Sequence, residues 1–251
     1  MAKPAATATA TGTIMTDTAH AGALYKLLSF FSPAFPVGAF TYSHGLEQAV
    51  ENGTLQSASD VERWLGEVVA YGAIRSDGIL LVHAFRAVQA GDRAALDDLI
   101  GLGLALQPSR ERYLESSAQG TAFMVTFLAA WSSQQDTAAC AWLRSVDTNG
   151  KTAWPYPVAI GAAASASDLP VEETVTAYMQ AFVSNLVSAA IRTVPLGQTQ
   201  GQKVLATLQP LCQSVARDTL AASLDDLGSS SFLADIASMN HETQYTRLFR
   251  S

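Results

Sequence analysis

Ser32-Pro-Ala-Phe-Pro-Val-Gly-Ala-Phe-Thr-Tyr-Ser-His-Gly-Leu-Glu47 is the stretch whose reading decides the fold. Read one way, Thr41-Tyr42-Ser43-His44-Gly45 is close to the G-x-S-x-G nucleophile elbow. Asp and His residues follow later in the chain, the order a serine hydrolase of the α/β type needs. Read the other way, Pro33 and Pro36 end one helix, Gly38 relieves a bend, and Phe40 and Tyr42 give apolar surface to the start of the next helix. The elbow needs a strand feeding a helix inside a parallel sheet. Its first glycine is missing here, and proline interrupts the segment that would be the strand. The stretch therefore reads as a rigid corner in a helical protein, with a serine hydrolase using Ser43 as the alternative.

Composition agrees with a large helical core. The chain has 251 residues, 49% hydrophobic and 15% charged, with a net charge of -7. A chain of this length buries roughly three quarters of its unfolded surface. The acidic balance argues against nucleic acid and against an anionic membrane as partners. Cys140 and Cys212 stand far apart with no histidine near them, as expected of free, buried thiols in a reducing compartment. No apolar run is read as a membrane span. Residues 1–22, rich in Ala and Thr, read as a disordered leader without a secretory signal, and Met15 offers an alternative start. The expected compartment is the cytoplasm.

Leu24, Leu27, Leu28 and Phe31 form one helix stripe that stops at Ser32-Pro33. A helix is expected from about Thr41 to Glu51, ending at Asn52-Gly53. Ser59 and Glu62 fit a capping box opening a long helical stretch to Ala90, with Gly72 and Gly78 as possible breaks. Ser109 caps a helix that carries Tyr113, Leu114, Phe123 and Phe127. Asp147–Gly150 is a loop. Val158–Ala166 is a small-residue helix. Asp168 caps a long one whose Pro170 lies in the first turn, and another runs from Leu196-Gly197 to about Leu224. The sum is an all-α protein of roughly eight to ten helices: a leader over 1–22, one domain over 23–228 and a tail over 229–251.

Candidate chemistry is sparse. No phosphate-binding glycine loop is present. His20, His44, His83 and His241 never pair at i, i+4, so His44 (with Glu47) and His241 (with Glu242) are weak metal candidates only. Pro195-Leu-Gly197-Gln198-Thr-Gln-Gly201-Gln202 places two glycines four apart on one helix face, for close packing either inside the chain or against a partner helix. The end of the chain combines Tyr245, Leu248 and Phe249 with Arg247 and Arg250, residue types enriched at interfaces. It reads either as a tail folded on its own core or as one ordered by another protein.

Three stretches together resemble one family. They are Ser32–Glu47, the run Ala181–Ala190 continuing into Val194–Gln202, and Asp235–Ser251. In that order they are similar to the urease accessory protein UreF family, from about Leu24 onward. Ala39 departs from an expected glycine, Thr41 from serine and Tyr156 from a common histidine. The resemblance implies an all-α homodimer without catalysis or a cofactor of its own. It would bridge a nickel-carrying GTPase of the UreG type and a scaffold protein of the UreD or UreH type on apo-urease, coupling GTP hydrolysis to Ni2+ delivery. It implies that His241, Glu242, Gln244, Tyr245, Arg247, Leu248, Phe249, Arg250 and Ser251 meet the scaffold. A chain ending before Asn240 is then expected to fold and lose that contact. Pro33, Pro36, Gly38, Phe40, Tyr42, Ser43, Gly45, Glu47, Pro195, Gly197, Gln198, Gly201 and Gln202 take structural or interface roles.

Overall fold

The computed structural model describes residues 17–135, 137–147 and 152–251. Their helices are α1 (Asp17–Phe30), α2 (Leu46–Glu51), α3 (Ala58–Tyr71), α4 (Ala73–Ala90), α5 (Arg93–Ala105) and α6 (Arg110–Thr126). They continue with α7 (Ala138–Val146), α8 (Tyr156–Ala166), α9 (Val171–Thr193), α10 (Gln198–Ala221) and α11 (Phe232–His241). No strand occurs among the described residues, so the all-α reading holds and the sheet a nucleophile elbow requires is missing from them.

Small residues place the centre. α8, with sequence YPVAIGAAASA, is buried from Pro157 to Ala166. A β-carbon on Gly161 would lie 2.2 Å from the Leu81 carbonyl oxygen of α4, and one on Gly120 of α6 would lie 2.0 Å from the Trp154 oxygen. Backbone therefore packs on backbone at these crossings, and α4, α6 and α8 form the innermost layer. α9 and α10 pack beside each other along a second face. Phe30, Phe123, Phe127 and Trp154 fill the core, and Cys140 and Cys212 are free and buried.

Several boundaries differ from expectation. Of the leader expected over 1–22, residues 1–16 lie outside the described residues, and α1 already begins at Asp17. The loop expected at Asp147–Gly150 lies outside them apart from Asp147. Ser57, not Ser59, caps α3: its Oγ accepts from the Asp60 amide at 3.3 Å and donates to the Asp60 carboxylate at 2.7 Å. The acidic partner is thus aspartate, two residues before the expected glutamate. Gly72, extended at φ −103, ψ −164, ends α3, whereas Gly78 lies inside α4 and gives room to Thr219 and Met179. Pro170, not Asp168, is the cap of α9, and Asp168 is left-handed at φ 54. The run Ala58–Ala90 is apolar and long enough by composition to cross a membrane, contrary to expectation. It is nevertheless bent into two helices at Gly72, and 67% of its most apolar window is buried inside the protein.

Candidate functional site

The corner Ser32–Glu47 turns on glycine. Gly38 is left-handed at φ 70, a 3-10 turn covers Ala39–Thr41, and Tyr42 is extended. His44 and Gly45 follow at φ 56 and φ 76. A β-carbon on Gly45 would also sit 2.5 Å from the Ser238 amide nitrogen of α11. Glycine is needed there both for the sign of φ and for room. The helix expected from Thr41 therefore starts only at Leu46, and Ser43 and His44 precede it. The corner has two faces. Phe35, Tyr42, Ser43, Gly45 and Glu47 are buried, with Phe35 stacked on Phe123 at 4.8 Å. Pro33, Pro36, Gly38 and Phe40 face solvent.

The end of the chain closes over the buried face. Ser43 donates from its amide and its hydroxyl to the main-chain oxygen of Ser251, at 2.6 and 2.5 Å. The Arg250 amide donates to the Thr41 oxygen at 2.9 Å. The Glu47 carboxylate accepts from the amides of Leu248 and Phe249 at 2.7 and 3.0 Å, and lies 3.1 Å from His241 Nε2. On the other edge of that ring, Nδ1 is 2.6 Å from Glu111, which also accepts from Arg247 at 2.6 Å. Both imidazole contacts are hydrogen bonds only when both ring nitrogens carry protons. Arg192 lies 4.3 Å over the Phe249 ring and donates to the Phe40 oxygen. Glu242 accepts from the Arg110 amide at the N-terminus of α6.

A second cluster adjoins the first. Glu115 accepts from Arg112, from Gln119 and from the Ser251 hydroxyl, and lies 2.7 Å from His44 Nε2. Burial alone would raise the Glu115 carboxyl, but Arg112, then His44 and Ser251, hold it down at about 2. Burial and the neighbouring Arg112 lower His44, against the pull of Glu115. Asp77 of α4 takes the Tyr178 hydroxyl at 2.8 Å, and burial pushes its carboxyl up to about 6.

Of the two readings of the tail, these contacts realise the fold onto its own core for part of it. His241, Phe249 and Ser251 are buried within this chain. The physical reason is Glu47 of the corner with Glu111 and Glu115 of α6, carboxylates that each take at least one donor from the tail. Glu242 and Gln244 are half-buried. Tyr245, Arg247, Leu248 and Arg250 remain exposed, and α11 adds Phe232, Leu233, Ile236 and Met239 to the exposed apolar surface.

The other expected residues separate. Gly201 would press a β-carbon within 2.6 Å of Ile191, so its close approach lies inside the chain, between α9 and α10. Gly197 has nothing near it and is the N-cap of α10. Pro195, Gln198 and Gln202 are exposed. Ser43 is fully buried, and its hydroxyl is spent on Ser251, not on a histidine. Among the described residues no group of three or more His, Cys, Asp or Glu could hold a metal ion. His44 faces Arg112 and Glu115 rather than Glu47. Sequence reasoning missed Glu111, Arg112, Glu115 and Asp77. For the three on α6 the signal was charge on a face opposite apolar residues: Tyr113 and Leu114 are exposed, while Arg112, Glu115 and Gln119 face inward; Asp77 lies on α4.

Comparison with known proteins matches the chain to one group. A family model described as UreF matches residues 55–209. The urease accessory protein UreF of Rhodopseudomonas palustris strain BisA53 is 48% identical over 233 residues, covering 93% of this chain and 95% of its own. That of Bradyrhizobium diazoefficiens is 46% identical over 232 residues, covering 92% and 93%. The family model spans most of the helical body and the relatives match more than nine tenths of the chain, and the chain belongs to the UreF family.

Proposed function

We propose that this chain is a non-catalytic adaptor of urease maturation. It would bridge a nickel-carrying GTPase of the UreG type and a scaffold protein of the UreD or UreH type on apo-urease, and regulate GTP hydrolysis during nickel delivery. In this reading it works in the cytoplasm as a homodimer, over a body of residues 23–228. Ni2+ is cargo of the complex, not a resident cofactor. The accessory role comes from the names its relatives carry.

The observation that carries the scaffold contact is the apolar surface left in solvent by α11 and the tail. Phe232 and Leu233 are 67% and 71% exposed, Leu248 is 73% exposed, and Tyr245 is fully exposed. Large apolar side chains left in solvent on one helix and the segment that follows it are the residue types that interfaces use. A chain ending before Asn240 is a poor test, because it strips His241 and the tail amides from the Glu47, Glu111 and Glu115 carboxylates and unsettles the fold. The better test changes exposed side chains only. Tyr245→Ala with Leu248→Asp is expected to keep the helical spectrum and melting temperature. In a pulldown it should lose the scaffold protein and, with it, the GTPase. Normal capture of the scaffold by this variant would sink the assignment. Light scattering of the purified chain tests the homodimer.

A further inference from the structure

Beneath the corner lies a cavity of about 420 Å³. Its exposed lining residues include Pro33 and Phe40 of the corner and Gln180 and Ser188 of α9. Its deeper lining is aromatic and charged together. Tyr156 and Tyr178 meet at 5.7 Å between ring centres, and Phe31 meets Tyr178 edge-on at 6.3 Å. The charged groups of the lining are Asp77, Arg112 and Glu115, with His44 beside them.

These charges do not balance. Arg112 and Glu115 form an ion pair, and the remaining acceptor capacity of Glu115 is taken by Gln119, Ser251 and His44. Asp77 is only 5% exposed and has no ion-pair partner among the described residues. Its Oδ2 accepts from Tyr178, while its Oδ1, which is not fully sealed from solvent, takes no donor from the described residues. Arg112 lies near enough to favour the charged form of Asp77, but burial outweighs it and no cation is within ion-pair distance, so a cation entering the cavity would find an incompletely compensated carboxylate.

We propose that this cavity is a binding site for an organic monocation, an alkylammonium or guanidinium group, with Asp77 as its counter-ion and the Phe31, Tyr156 and Tyr178 rings as its walls. Ring faces attract such cations, and a carboxylate donor-bound by Tyr178 fixes the charged end. An anion is disfavoured because Arg112 is committed to Glu115. A divalent metal is disfavoured because only one carboxylate has an oxygen to spare, and no three-ligand group exists among the described residues. The site is separate from the exposed surface of α11 and stands whether or not that surface meets a scaffold.

The test uses the full chain and two probes, methylguanidinium and n-butylammonium, in calorimetric titrations at pH 8. A blocked Gly-Arg-Gly tripeptide forms a third arm. Saturable binding by the wild type is expected, weakened at least about tenfold in Asp77→Asn, as for loss of a charged hydrogen-bond partner. Tyr156→Leu, which removes a wall and not the charge, should weaken it less. Wild-type binding should also fade from pH 8 to pH 5 as Asp77 takes up a proton. The groups facing Asp77 are Tyr178 of α9, Tyr156 of α8, Arg112 and Glu115 of α6, and His44 of the corner. Tripeptide binding with the same Asp77 dependence assigns the cation to a polypeptide side chain, and binding of the free cations alone assigns it to a small molecule. Absence of saturable binding by all three probes, or affinity unchanged in a folded Asp77→Asn and across pH, overturns the proposal.

Discussion

Glu47 has two oxygens and three donors: two tail amides and one imidazole nitrogen. Glutamate fits because every one of these contacts asks for an acceptor. Glu47→Ala is expected to destabilise the protein by at least about 1–3 kcal/mol, the scale for leaving a buried hydrogen-bond donor without its acceptor. Glu47→Gln should cost less but still lose one amide bond, since its NH₂ end cannot accept. Urea unfolding measures both, and hydrogen exchange at Leu248 and Phe249 should quicken in each. Equal stability of Glu47→Ala and wild type would show that the tail does not depend on this carboxylate. Glu47 and His241 stood out in the sequence because they sit in dense motifs. Glu111, Arg112 and Glu115 did not, because their partners lie at least 68 residues away for all but the local Arg112–Glu115 and Glu115–Gln119 pairs. Local charge on a helix ordinarily means a solvated face.

Helix α8 illustrates what a run of small residues does. Its surface is nearly featureless, so α4 approaches until its Leu81 main chain limits it, while α6 meets the Trp154-Pro155 main chain just before α8. Gly161→Val should therefore cost about 1–3 kcal/mol or more through overpacking against Leu81. Gly101 in α5 is the matched control: a β-carbon there meets nothing within 4 Å. Gly101→Ala should be neutral or stabilising by up to about 1 kcal/mol, as helix propensity alone dictates. Thermal melts of the two variants decide it, and equal shifts would contradict the packing account. At this scale the sequence was informative about most helices, but it read 229–251 as a tail where α11 forms and named no helix at α7. It was less so about their ends, since glycine serves as a break at Gly72 and as a packing notch at Gly78, and nothing local distinguishes the two uses.

Across the whole molecule, Asp77 sets a pH dependence of its own. Its carboxyl holds a proton up to about 6 in the native chain, against an ordinary value of 3.8. The native state thus binds more protons than the unfolded state between those values, so this group makes stability fall as pH rises through that window. The shift corresponds to on the order of 3 kcal/mol at pH 8. Asp77→Asn keeps an acceptor for Tyr178 and removes the charge. Relative to wild type it should gain stability at pH 8 and gain little at pH 4, as read by denaturant unfolding at both. A constant difference across pH would refute the assignment.

The closure of the tail over the corner also has a consequence in time. Its bonds join residues far apart in the chain, with separations of 194 for His241 to Glu47, 201 for Leu248 to Glu47 and 208 for Ser43 to Ser251. Chains emerge from the ribosome N-terminus first, and pairings across long separations form late. Residues 43–47 are therefore made long before the donors that satisfy them. During that interval Glu47 and Glu111 keep their water, and the corner stays open to solvent. Assembly of this protein ends where it begins, with residues 241–251 returning to seal the first turn of chain after α1.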